Sequence, residues 1–246
     1  MSPLRFLSGS ITLALGCALG GFFIGHGIVA SRTADRTVSV KGISERDVRA
    51  DLAIWPLHVV SSSDDLAAAN AQIQNSVRQV WVFLRKYGID TAQASLQGFS
   101  VADASTNQFL GDRHGNRYVI RQTIVVRSTT PDLVLAASQR LTELVAAGVV
   151  LEQGGEYGSR GPTFVYRGLN TIKPTMIAEA TARAREAAAQ FARDAGSPLS
   201  GIRSAYQGQF SILPRDQAGG ISEESQILKT VRVVSTVEYS LGRNRP

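Results

Sequence analysis

Cysteine is nearly absent from this 246-residue chain: Cys17 is the only one. Past that position there is no disulfide, no thiolate metal site and no thiol nucleophile to be had. Histidine is almost as scarce, with His26, His58 and His114. His58 falls in a strand pattern and His114 in a polar loop, so a histidine-built zinc site lacks ligands. There is no Gly-x-Ser-x-Gly elbow, since Gly158-Ser-Arg-Gly161 is one residue too short for it. The Gly-rich stretch Gly154-Gly-Glu-Tyr-Gly158 has neither the spacing nor the lysine of a phosphate-binding loop. Two carboxylate pairs remain, Asp64-Asp65 and Glu223-Glu224, and they read as a helix start and a solvated loop. The expectation is a protein that is not an enzyme, with no cofactor and no metal.

Blocks of like charge are also missing. The formal net charge is +6, but the basic residues are scattered, as at Arg46, Arg78, Arg117 and Arg183. Without a basic-aromatic cluster nothing points to nucleic acid. Weak attraction to an anionic membrane surface is the partner such a charge suits better.

Charge is absent altogether from Phe6 to Ser31. Residues 7–29 read as one transmembrane helix, because roughly 20 apolar residues cross a hydrocarbon core of about 30 Å. Residues 1–6 are then a short cytoplasmic tail, 30–36 a linker and 243–246 a C-terminal tail. Two alternatives stay open. Cleavage after Ala30 would leave bulky Ile28 at the third position before the cut. Lipidation at Cys17 would use Ala14-Leu-Gly-Cys17, which lacks the Leu and the small residue of a bacterial lipobox. Arg5 and the free amine flank the span on one side and Arg32 and Arg36 on the other, and a short N-terminal tail staying inside sends the C-terminal part outward. Gly16-x-x-x-Gly20 and Gly21-x-x-x-Gly25 would let two such helices approach closely, though glycine is common in membrane helices in any case.

The outer part, about residues 37–242, is long enough to bury a real core. Strands are expected at Thr37–Gly42, Val48–Val60, Leu96–Val101, Tyr118–Arg127, Thr163–Tyr166, Ala205–Leu213 and Thr230–Leu241. Gly42 is expected to turn the chain, and Pro56 to mark an edge or a bulge. Helices are expected after Ser63-Asp64-Asp65, after Thr130-Pro131, and from Lys173-Pro174 to Ala195, closed by Gly88, Gly148 and Gly196. The last is rich in alanine, with a core face of Ile177, Ala180, Ala184, Ala187 or Ala188, and Phe191; such a slim helix lies close to a sheet. The fold class is therefore α+β, antiparallel or mixed sheets with about three packing helices, divided near residue 150 if there are two α/β subdomains (about 37–150 and 151–242). Helix–Gly88 leads to Gln97-Gly-Phe-Ser-Val101, and helix–Gly196 leads to Gln207-Gly-Gln-Phe-Ser-Ile212. That echo fits either a duplicated helix–strand–strand unit or a coincidence of common topology. Trp55 and Trp81 are candidates to line a ligand pocket or an interface, although their strand and helix positions suit core packing.

Val38-Ser-Val-Lys-Gly-Ile-Ser-Glu-Arg-Asp-Val-Arg-Ala-Asp-Leu-Ala-Ile-Trp55 resembles the opening of SIMPL-domain proteins, the DUF541 family. Leu169-Asn-Thr-Ile-Lys-Pro-Thr-Met-Ile-Ala-Glu-Ala-Thr181, the Ala-rich helix and Arg232-Val-Val-Ser-Thr-Val-Glu-Tyr239 resemble the same group. Many relatives open with Gly-Glu-Gly followed by Pro-Asp, where this chain has Lys41-Gly42-Ile43 and Ala50-Asp51, which places it in a membrane-anchored subgroup. The resemblance implies an α+β fold in a bacterial periplasm or cell envelope. It also implies homo-oligomeric rings in some relatives and a link to oxidative-stress tolerance in others, and supplies no catalytic residues. The resulting expectation is an inner-membrane-anchored, self-assembling periplasmic protein with a structural or stress-related role. The alternative is a periplasmic module that binds a small ligand.

Overall fold

The computed structural model describes residues 16, 18–25, 36–106, 116–152, 161–216, 219 and 222–242. Their fold is α+β, with antiparallel pairing throughout the assigned registers. The strands are β1 (Thr37–Arg49), β2 (Leu52–Ser63), β3 (Ala94–Asp103), β4 (Tyr118–Ser128), β5 (Val150–Leu151), β6 (Thr163–Val165), β7 (Leu199–Gln207), β8 (Ser211–Pro214) and β9 (Leu228–Leu241). The helices of this part are α1 (Leu66–Lys86), α2 (Pro131–Ser138), α3 (Thr142–Ala146) and α4 (Leu169–Asp194). One sheet has the order β1-β9-β7 with β8 also on β9, and the other β3-β4-β2-β5 with β6 also on β2.

By contact the chain forms two compact units, each assembled from separated segments. One comprises Met1–Ser44, Thr175–Gln209 and Val233–Pro246; the other comprises Glu45–Pro174 and Phe210–Arg232. The chain passes from one to the other inside β1, α4 and β9, and between β7 and β8.

In the larger unit, β2 pairs with β4 without a register shift from Ala53↔Ser128 to Ser63↔Tyr118. Pro56 therefore makes no bulge. Its missing N–H falls on the other side of β2, in the gap between β6 at Leu52–Ile54 and β5 at Val59–Val60. The Asp65 carboxylate caps α1, accepting from the Ala67 N–H at 3.0 Å, as the Ser63-Asp64-Asp65 signal predicts. Ala69, Ile73, Val77, Val80 and Leu84 form the buried stripe of α1. They meet Trp55, Leu57 and Val59 of β2 and Ile120, Ile124 and Val126 of β4 in the main core. Gly88 ends the helix in the left-handed region at φ 71°, where a side chain would be strained. The helix expected after Pro131 is two helices, broken at Gln139–Leu141, with Leu133 and Val145 outside the core and Val134, Ala137 and Leu144 inside it.

In the smaller unit β1 does not turn at Gly42; it runs straight through to Arg49. Gly42 is there for close approach. A Cβ built on it would lie 1.8 Å from the Ala180 carbonyl oxygen and 2.5 Å from the Ala184 nitrogen, so strand and helix backbones touch. Helix α4 presents Met176, Ala180, Ala184, Ala188 and Ala192 at a spacing of four, and Val40, Val237 and Tyr239 pack with its alanines. Phe191, expected on this face, is exposed. The helix also opens at Leu169 rather than at Lys173-Pro174, with Pro174 inside it. So near the start, a proline forfeits a single bond, the one to the Asn170 carbonyl.

Candidate functional site

Residue 16 and residues 18–25 are helical; the rest of the expected span 7–29, with Cys17 and His26, lies outside the described residues, as does His114. Among the described residues no helix is long and apolar enough to cross a membrane. Gly16, Gly20, Gly21 and Gly25 are exposed, and a Cβ at any of them would meet nothing within 4 Å.

Trp55 is fully buried in the main core, in keeping with the core packing its strand position suits, and Trp81 is half-buried against the same core. Among the described residues the Trp55 Nε1 has no acceptor. His58 is half-buried on β2 and shares a 2.9 Å hydrogen bond with the Thr123 hydroxyl of β4. The carboxylates Asp64 and Asp65 are spent locally, on the Arg117 N–H at 3.0 Å and on the helix cap. Most of the 153–161 loop lies outside the described residues. Among the described residues no group of three His, Cys, Asp or Glu could hold a metal ion.

The surface that stands out is an edge strand. β3 ends the order of its sheet, and eight of its ten residues are exposed. Val101 pairs with Ile120 and Leu96 with Ile124, so these β3 side chains share the face that α1 covers on β4 and β2. Helix α1 stops short of β3. Ile120 and Ile124 are buried, whereas Leu96, Phe99 and Val101 are 53%, 56% and 47% exposed. With Leu66, Ala67 and Asn70 of α1, Phe99 and Val101 wall an open groove of about 540 Å³ in which Asp65 is the only charged residue. Gly98, at φ 61°, permits the bulge between Gln97 and Ser100, and the Gln122 amide holds the Gln97 carbonyl at 2.8 Å. The strand ends at Asp103, whose carboxyl is drawn down to about 2 by hydrogen bonds from the Arg117 guanidinium and from Ser105. No Lys, Arg or Pro interrupts β3, so of the devices that ordinarily blunt sheet edges it carries the bulge alone. β7 is a second edge of the same character, exposing Ile202 and Tyr206, though it carries Arg203.

Residues 38–239 match the family described as SIMPL, protein of unknown function (DUF541). The chain belongs to the SIMPL family. A comparison with curated proteins finds no match. Among solved structures, the regulatory subunit of aspartate kinase from Thermus flavus aligns at 14% identity, covering 81% of this chain and 89% of that one; its TM-score of 0.17 carries no argument.

Within this SIMPL domain one side chain goes against its type. Lys229 is fully buried, donating through Nζ to the Glu223 carbonyl at 2.6 Å and to the Glu223 carboxylate. Glu223 is thus not merely part of a solvated loop. The signal was phase: Lys229, Val231, Val233, Ser235, Val237 and Tyr239 alternate onto the buried face of β9.

Proposed function

We propose that this SIMPL protein is a bacterial inner-membrane protein, held by residues 7–29, whose periplasmic domain is non-enzymatic and assembles into a homo-oligomer with a structural or stress-related envelope role. The observation that carries the reading is the pair of edge strands with exposed apolar side chains. Among the described residues β3 and β7 each end the order of a sheet and expose apolar side chains, and an edge of that kind is a template for another chain. The apolar groove beside β3 adds surface that water solvates poorly. The open faces of Gly16, Gly20, Gly21 and Gly25 suit association within the bilayer. Its partners are then copies of itself and the lipid bilayer, and nucleic acid has no place among them.

The test is the absolute mass, by light scattering after size exclusion, of the full chain in mild detergent beside a chain beginning at Ser31. A discrete oligomer in both locates assembly in the domain. Monomers in both refute self-assembly.

A further inference from the structure

Strand β2 leaves a hole where its short neighbour β5 stops. Val59↔Leu151 and Val60↔Val150 are paired, and the same register would carry Ser62 to Gly148. Gly148 does not pair: it sits in the left-handed region at φ 82°, with its N–H on the Val145 carbonyl. The Glu152 N–H donates to the His58 carbonyl at 2.9 Å, so by strand alternation the main-chain groups of His58, Val60 and Ser62 all point toward this side. Those of Ser62 reach past the end of β5 into a cavity of about 240 Å³.

The cavity is walled by Val60, Ser61 and Ser62 of β2, by Gln72, Asn75 and Ser76 of α1, and by Gly148 and Val150. None of these carries a charge. Several of its polar groups are uncommitted. Ser76 is 7% exposed, and among the described residues neither its hydroxyl nor the Gln72 amide makes a hydrogen bond. The Asn75 carbonyl accepts from Arg78 at 3.4 Å, which leaves its amide N–H groups available. Ser61 is already spent on the Ala69 carbonyl at 2.9 Å, and the Ser62 hydroxyl accepts from Asn116 at 3.0 Å.

We infer that this cavity at the end of β5 is a binding site for a small uncharged polyol, no larger than a monosaccharide. Size sets the upper limit, because drug-sized ligands occupy pockets of about 300–1,000 Å³. The lining sets the class. Side-chain amides and hydroxyls with a strand edge match a ligand whose groups both donate and accept, whereas none of the lining residues would pair a charged ligand.

The test is saturation-transfer NMR on the full chain in dodecylphosphocholine, a detergent without sugar. Glycerol, myo-inositol and D-glucose are the neutral probes, and glucose 6-phosphate and gluconate the charged ones. A neutral probe should bind, the charged ones at least about tenfold more weakly; Gln72→Leu and Ser76→Val should each weaken binding about tenfold, as expected when one hydrogen bond is lost and its partner stranded. If Ser76→Val does not fold, Gln72→Leu and Asn75→Leu carry the test, because both side chains are exposed. The inference falls if no neutral probe binds at millimolar concentration, if the charged probes bind equally well, or if the folded variants bind like the parent. It stands apart from self-assembly, so either can fail alone.

Discussion

Gly42 has no room for even a methyl group, because the backbone of α4 occupies the place where it would go. Since main chain cannot swing aside as a side chain can, Gly42→Ala should cost about 3 kcal/mol or more by chemical denaturation, at the top of the range for overpacking. Lys229 and Glu223 make the opposite case, a group stranded by subtraction. Lys229 is wholly buried, while the Glu223 side chain keeps 30% of its exposure. Glu223→Ala leaves a buried charge with only a carbonyl, and should cost about 3–5 kcal/mol. Lys229→Met leaves a carboxylate that water still reaches, and should fall within about 1 kcal/mol of the parent. Equal losses from the two variants would show that the pair, and not the stranded charge, sets the energy. Asp103 adds a dependence on acid. Its folded value of about 2 lies below the ordinary 3.8, so its contribution is present above pH 4 and is lost as pH falls toward 2. In Arg117→Gln the carboxyl should titrate higher, part of the way back toward its ordinary value because the Ser105 hydrogen bonds remain, read by carbon NMR, and the acid sensitivity should shrink accordingly.

Strand β3 and its neighbour β4 share a face but not a fate. Phe99→Lys alters a side chain 56% exposed on an edge and should leave the unfolding midpoint almost unmoved. Ile124→Ala, one strand inward and fully buried, should cost about 2–5 kcal/mol. A large loss from Phe99→Lys would mean that the strip is covered, either within the monomer or by another copy of the chain. That β3 is a strand was legible from its alternation, but not that it is bare, since exposure depends on where α1 lies across the sheet. Local signals did best where chemistry is local: Asp65 caps α1, and Gly88, Gly148 and Gly196 all take positive φ. They did worst where a residue serves something distant in sequence. Gly42 reads as a turn until Ala180 is known to sit on it, and Phe191 reads as core until the four-residue alanine spacing sets the face of α4. Pro174 looked like a helix start because proline favours the first turn; the bond it forfeits is inexpensive enough for the helix to begin at Leu169.

At the scale of the molecule the two sheets repeat one plan. β2, α1, β3 and β4 form a strand–helix–strand–strand series in which the third element is the edge and the fourth lies between it and the first. β1, α4, β7 and β9 do the same, with the whole of the other series inserted after β1. The insertion is what a linear division near residue 150 does not capture, because each unit is closed by strands from both ends of the chain. Among the described residues β3 and β7 are the sheet ends that expose large apolar side chains, and whether one or both pair decides the kind of assembly. Pairing of β3 with β3 alone is isologous and stops at a dimer, whereas pairing of β3 with β7 is heterologous and builds a ring when the rotation closes. A larger oligomer made through these edges therefore needs both. Leu96→Lys with Phe99→Lys blocks the first edge, and Ile202→Lys with Tyr206→Lys blocks the second, all four being exposed side chains. For a ring, either pair alone should reduce the mass in light scattering to that of a monomer. If only the β3 pair does so, the assembly is a dimer. If neither does, the edges are not the contacts, and the glycine faces at residues 16–25 become the remaining route to association.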